Sequence, residues 1–147
     1  MESRRSDLLL RWAALAALAA GMIHGLNIQE HLNEWWGYGL FFLFAAAGQV
    51  IYGLVLLVRP WQYDETGGRR EGSRQARLFY LAGIAANCFF ILLYMVTRTV
   101  GIPLLGPAAG RVEAVAILGV LTKLAEAALV VCLFKLVRLS RVSPTPQ

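Results

Sequence analysis

Four long apolar segments, at about 8–29, 36–58, 78–100 and 112–136, take up most of this 147-residue chain and constrain its fold more than any other feature. Each is near or above the ~20 residues with which an α-helix crosses a hydrocarbon layer ~30 Å thick. Charged residues make up 16% of the chain, below the roughly 25% of an average soluble domain, and leave no room for a soluble domain beside the spans. The expected fold is all-α: a single four-helix transmembrane bundle over 1–142, with a disordered tail at 143–147.

Charge sets the expected orientation. Arg4, Arg5 and Arg11 precede or open the first span, Arg59, Arg69, Arg70, Arg74 and Arg77 lie between the second and third, and Lys135, Arg138 and Arg141 end or follow the fourth. Of the 14 basic residues, only Arg98, Arg111 and Lys123 fall elsewhere. The positive-inside rule then puts both termini in the cytoplasm. The basic pI of about 9.7 calls for anionic membrane lipid facing these arginines, and for no nucleic acid. Arg4-Arg5 followed by an Ala/Leu run and Ala17-Leu18-Ala19 also has the layout of a cleaved signal peptide. The uncleaved span is favoured, since cleavage would leave three spans and an external C-terminus despite its basic residues.

The stretch from Tyr63 to Ser73 is Gly-rich and mixed in charge, as in a flexible cytoplasmic loop. The external connection, Thr97 to Pro107, mixes turn residues with apolar ones and is expected to pack over the bundle mouth as a lid. The segments His31-Leu32-Asn33-Glu34-Trp35-Trp36-Gly37-Tyr38 and Val96-Thr97-Arg98-Thr99-Val100-Gly101-Ile102-Pro103 resemble those of uncharacterised small four-pass bacterial integral membrane proteins. That resemblance implies a four-helix fold and a multi-pass protein of the bacterial plasma membrane. It implies no activity.

Function is sought in the polar residues that recur at helical spacing inside the spans. In the first, Ala13, Ala17, Ala20, His24, Asn27, His31 and Glu34 share a stripe that turns from small to polar as the helix leaves the membrane. His24 and His31 would stand roughly 10 Å apart on a continuous helix, too far for one metal unless the helix ends or bends between them. His31 and Glu34, three apart, are the better metal candidates, with Glu113 or a water completing the set. Otherwise Glu113 serves as a helix-start carboxylate favoured by the dipole. Gly21 and Gly25 form a G-x-x-x-G match, a packing face that could meet the fourth span or another subunit.

In the second span Tyr38, Ala45 and Tyr52 recur every seven residues with Gln49 beside them, and in the third Tyr80, Asn87 and Tyr94 do the same, with Arg98 one turn on. Their phenols and carboxamides can form interhelical hydrogen bonds, which is also all they need do. Trp12, Trp35, Trp36 and Trp61 are expected at membrane interfaces. The fourth span carries Lys123 and Glu126, an i,i+3 ion pair about halfway along it. Each charge at mid-bilayer costs about 2.5–3.5 kcal/mol on insertion scales, so both should face the bundle.

Several chemistries are excluded. Cys88 and Cys132 are solitary, so no Cys-x-x-Cys exchanger is present; two histidines on one span cannot flank a haem; paired Glu-x-x-His motifs, a nucleophile triad and a phosphate loop are all lacking. No catalytic residue is identified. The expected function is binding of a small ligand or metal ion in a polar pocket open to the external side. A quinone-like or other organic ligand would use His24, Asn87, Tyr94, Lys123 and Glu126, whereas a metal ion would use His31, Glu34 and Glu113. The alternatives are a structural or interaction subunit of a membrane complex, bound to its own copies or to another membrane protein, and a small proton-coupled transporter.

Overall fold

The computed structural model describes residues 2–62, 74–102 and 106–140, with side chains from Arg4 onward. The loop expected over 63–73, the tail 143–147 and Pro103 lie outside the described residues. Among the described residues five α-helices follow one another: α1, Glu2–Leu26; α2, Ile28–Glu34; α3, Trp36–Val58; α4, Arg74–Thr99; and α5, Ile117–Leu139, with a 3-10 turn at Pro60–Gln62. Counting α1 and α2 together, four helical segments are long and apolar enough to cross a membrane.

The first segment is broken at Asn27, where the Asn27 amide N–H reaches back only three residues to the His24 carbonyl. The Asn27 side-chain amide donates to the Ile23 carbonyl at 2.7 Å, and the Asn27 carbonyl in turn accepts from both the backbone N–H and the ring Nδ1 of His31. These local bonds tighten the helix at one residue and re-aim α2 onto the start of α3.

Small side chains determine which helices come close. Ala13, Ala14, Ala17 and Ala20 are fully buried, and α1 packs along both α3 and α5. At the α1/α3 crossing a Cβ on Gly21 would stand 2.9 Å from Val50 and 3.1 Å from the Ala46 carbonyl, and one on Gly53 would stand 2.9 Å from Leu18. Gly21 of the G-x-x-x-G match therefore meets α3, while Gly25 faces open space. α4 packs on α5 and only loosely on α3, which leaves a crevice of about 270 Å³ between α3 and α4.

The interior is apolar toward the end that holds Arg59 and Arg74, with Leu10, Leu56, Leu129, Leu133 and Leu136 at its centre. Trp61 is buried there against Phe79 and Tyr80, because the 3-10 turn folds it beneath the helix ends. Toward the middle of the bundle the buried residues become polar: His24, Gln49, Asn87, Thr122 and Glu126.

The fourth span begins five residues later than the sequence suggests. Gly101, Gly106 and Gly110 adopt positive φ, and Arg111–Ala116 have no regular secondary structure before the first turn of α5. The Ile102 and Arg111 backbones bond to each other, the Glu113 N–H donates to the Thr97 carbonyl, and the Ala108 N–H donates to the Tyr38 hydroxyl. The described part of this connection thus lies against the ends of α3 and α4.

Candidate functional site

Glu126 is fully buried, and its two carboxylate oxygens have different partners. Oε1 lies 2.9 Å from Nε2 of His24 on α1, and Oε2 accepts from Nζ of Lys123 one turn earlier on α5 at 2.5 Å. The Lys123 ammonium also donates to the Phe90 carbonyl of α4 at 3.3 Å, so the cluster ties α1, α4 and α5 together. Carboxylate and ammonium balance each other, which makes a doubly charged site tolerable in a low-dielectric interior. Phe42 and Phe90 flank the imidazole at 5.7 and 5.6 Å between ring centres.

The i,i+3 pair is expected from the sequence; the histidine as third member is not. Counting from a span that starts at residue 112 places His24 above the charged layer. Starting α5 at Ile117 moves Lys123 and Glu126 about 7 Å nearer the helix start, which brings them level with His24.

Tyr94 lies beside the cluster. Its ring sits 5.6 Å from the Lys123 ammonium on one side and 4.4 Å from the Arg98 guanidinium on the other, and Gly119 of α5 gives it room, since a Cβ there would meet the phenol ring at 2.8 Å. Arg98 is paired with Glu113 and bonded to the Thr97 hydroxyl. A continuous polar path therefore leads from the Arg98/Glu113 pair past Tyr94 to Lys123, Glu126 and His24.

Three polar atoms along this path are buried without a partner: Nδ1 of His24, the hydroxyl of Tyr94 and Nε of Arg98. Buried polar atoms are almost always hydrogen-bonded, because leaving one bare costs about 1–3 kcal/mol. With Nε2 donating to Glu126, a neutral His24 presents Nδ1 as an acceptor. The tyrosine hydroxyl can donate or accept, and Lys123 has a third N–H beyond its bonds to Glu126 and Phe90.

Asn87 belongs to a second polar pair. It accepts from the Gln49 amide at 2.7 Å and donates to the Gly83 carbonyl at 2.8 Å, and both amides line the α3/α4 crevice. The structure thus divides the expected ligand-binding set, placing His24, Tyr94, Lys123 and Glu126 along one path and Asn87 on another wall.

The expected metal set is not assembled. Among the described residues no three His, Cys, Asp or Glu side chains are grouped to hold a metal ion. Arg98 takes the Glu113 carboxylate, His31 Nδ1 is turned to the Asn27 carbonyl with its ring 4.0 Å from Phe42, and Glu34 is exposed at the end of α2. Nor does Glu113 open a helix: it stands in the irregular segment ahead of Ala116, the N-cap of α5.

Comparison with known protein families, curated proteins and solved structures gives no match.

Proposed function

We propose that this chain is a multi-pass protein of the bacterial plasma membrane, with both termini cytoplasmic, that binds a small hydrogen-bonding ligand beside His24, Lys123 and Glu126. The ligand enters from the external side, past Arg98 and Glu113. The observation that carries this reading is the pair of buried, partnerless atoms, His24 Nδ1 and Tyr94 OH, next to a cluster whose other groups are satisfied. Charge supports the orientation: Arg59, Arg74, Arg77 and Arg138 lie at the opposite end from Arg98 and Glu113.

The donor and acceptor set describes the ligand. A free Nδ1 lone pair takes a hydroxyl or N–H, while the tyrosine hydroxyl and the spare lysine N–H take a carbonyl or carboxylate oxygen. A small molecule carrying both kinds of group, a hydroxy-carbonyl compound or a quinol-type head, meets those requirements.

Native mass spectrometry of protein extracted mildly from its own membrane tests the reading. Wild type should carry a bound small molecule, and Lys123→Met combined with Glu126→Gln, which removes both charges at similar volume, should fold and lose it. A folded double variant with the same bound mass as wild type would refute the site and leave the cluster as helix-to-helix glue.

The 2.9 Å contact between the His24 imidazole and the Glu126 carboxylate supports a second reading, proton-coupled transport, because a proton can pass directly between the two groups. In proteoliposomes, ligand uptake driven by a pH gradient and abolished by Glu126→Gln would favour it over binding alone.

A further inference from the structure

A second site lies at the basic end of the bundle, where α1 and the end of α3 enclose a groove of about 640 Å³. Its polar wall comes from Asp7, Arg11, Arg59 and Gln62, and its apolar wall from Leu15, Leu57 and Val58. Asp7, Arg11 and Leu15 are spaced i, i+4 and i+8, so one face of α1 carries the wall from charged to apolar within two turns.

Arg59 shapes this groove. It ends α3 in the left-handed conformation, φ 55° and ψ 56°, with its N–H bonded to the Val55 carbonyl. Glycine holds that conformation without strain, so the turn itself gives no reason for an arginine here. The guanidinium instead crosses to α1, where Nη1 pairs with Asp7. Its Nε is buried with no partner, although the side chain as a whole is 14% exposed. An arginine whose Nε is unpaired keeps the capacity for two parallel hydrogen bonds to a phosphate. Arg11 stands exposed beside it.

The charges count to a definite valence: two arginines against one aspartate leave the groove with one net positive charge. A phosphodiester, with its single negative charge, neutralises it. Beside the arginines, Leu15, Leu57 and Val58 are 56%, 46% and 66% exposed and continue toward the middle of the spans. Free phosphate has no use for that wall; an acyl chain does.

We infer that the groove between α1 and the end of α3 is a binding site for one anionic phospholipid, its phosphodiester held by Arg59 and Arg11 and an acyl chain laid along Leu15, Leu57 and Val58. The inference needs the helices to cross a membrane but is independent of the ligand site around Glu126, which lies on other residues nearer the far end. Gln62 supplies a further amide N–H at headgroup level. The site also gives Arg59 the partner that Asp7 alone does not complete.

The test is titration of short-chain phosphatidylglycerol, and separately phosphatidylcholine, into the full-length chain in neutral detergent, read by native mass spectrometry. Wild type should prefer phosphatidylglycerol by about tenfold, as expected for a charge-assisted pair of bonds at a partly exposed site. Arg11→Gln, at an exposed position, should lose roughly fivefold of that preference. Arg11→Gln combined with Arg59→Gln and Asp7→Asn, which leaves neither a cation nor a stranded carboxylate in the groove, should abolish it. Equal binding of the two lipids by wild type, or full preference retained by either variant, would overturn the assignment. So would displacement of the lipid by inorganic phosphate at equal concentration, which would mark the groove as a site for free phosphate.

Discussion

Replacing Glu126 with glutamine should cost more than removing the whole ion pair. Glu126 is fully buried and accepts from both His24 and Lys123, so Glu126→Gln turns one acceptor oxygen into a donor amide facing another donor. The oxygen that remains can accept from Lys123 or from His24 but not both, and the Lys123 ammonium loses its counter-charge. Breaking a buried pair by removing one partner typically costs about 3–5 kcal/mol. The low end applies, about 3 kcal/mol, because the Lys123 side chain keeps 16% of its surface exposed and bilayer helices find substitute partners. With Lys123→Met added, the stranded charge is gone and the oxygen of the new side-chain amide can turn to His24, so the double variant should lie within about 1 kcal/mol of wild type. Steric trapping with two biotin tags, in bicelles, measures these unfolding free energies directly. The double variant should recover about 2 kcal/mol relative to Glu126→Gln, roughly a 30-fold change in the unfolding constant. Equal stability of the single and double variants would show that Lys123 and Glu126 are not coupled as described.

Other perturbations probe the packing around the site. Gly21→Val should destabilise the bundle by about 1–3 kcal/mol, since its Cβ alone would meet Val50 at 2.9 Å and the Ala46 carbonyl at 3.1 Å, whereas Gly25→Ala, which faces open space, should be neutral; the same trapping assay separates them. Asn87→Leu leaves the Gln49 amide without its acceptor and should cost about 1–2 kcal/mol, and a Gln49→Leu/Asn87→Leu double variant should recover part of that loss. Cysteines introduced by Gln75→Cys and Asn33→Cys, both at exposed positions, should react with a membrane-impermeant maleimide in a C88A/C132A background only from the cytoplasmic and external sides respectively; labelling of the Gln75→Cys variant in intact cells would reverse the orientation.

How far the site can be read from the sequence depends on how local each contact is. Lys123 with Glu126 is legible because an i,i+3 pair needs only a helix, and the Gln49 and Asn87 amides because each sits on or beside a seven-residue stripe of an apolar span. His24 as the third partner is not, because it depends on where α5 starts. That start is set by three positive-φ glycines and a backbone bridge between Ile102 and Ala109, neither of which periodicity registers. The metal set is not grouped among the described residues for a related reason: His31, Glu34 and Glu113 share a depth in the sequence reading, while Arg98 and the Asn27 carbonyl engage Glu113 and His31 at closer range. The pairing of Arg59 with Asp7, which are 52 residues apart, leaves no sequence signal. The count of four long apolar spans comes through intact, since apolar length survives such local detail.

The ligand site around Glu126 is tested most directly by an experimental structure of the protein crystallised in a lipidic phase from mildly extracted, undepleted material. The account predicts non-protein, non-water density within hydrogen-bond distance of His24 Nδ1 and Tyr94 OH, with the His24, Glu126 and Lys123 contacts retained. Water alone at both atoms, or rotamers that satisfy each of them from within the protein, would contradict it.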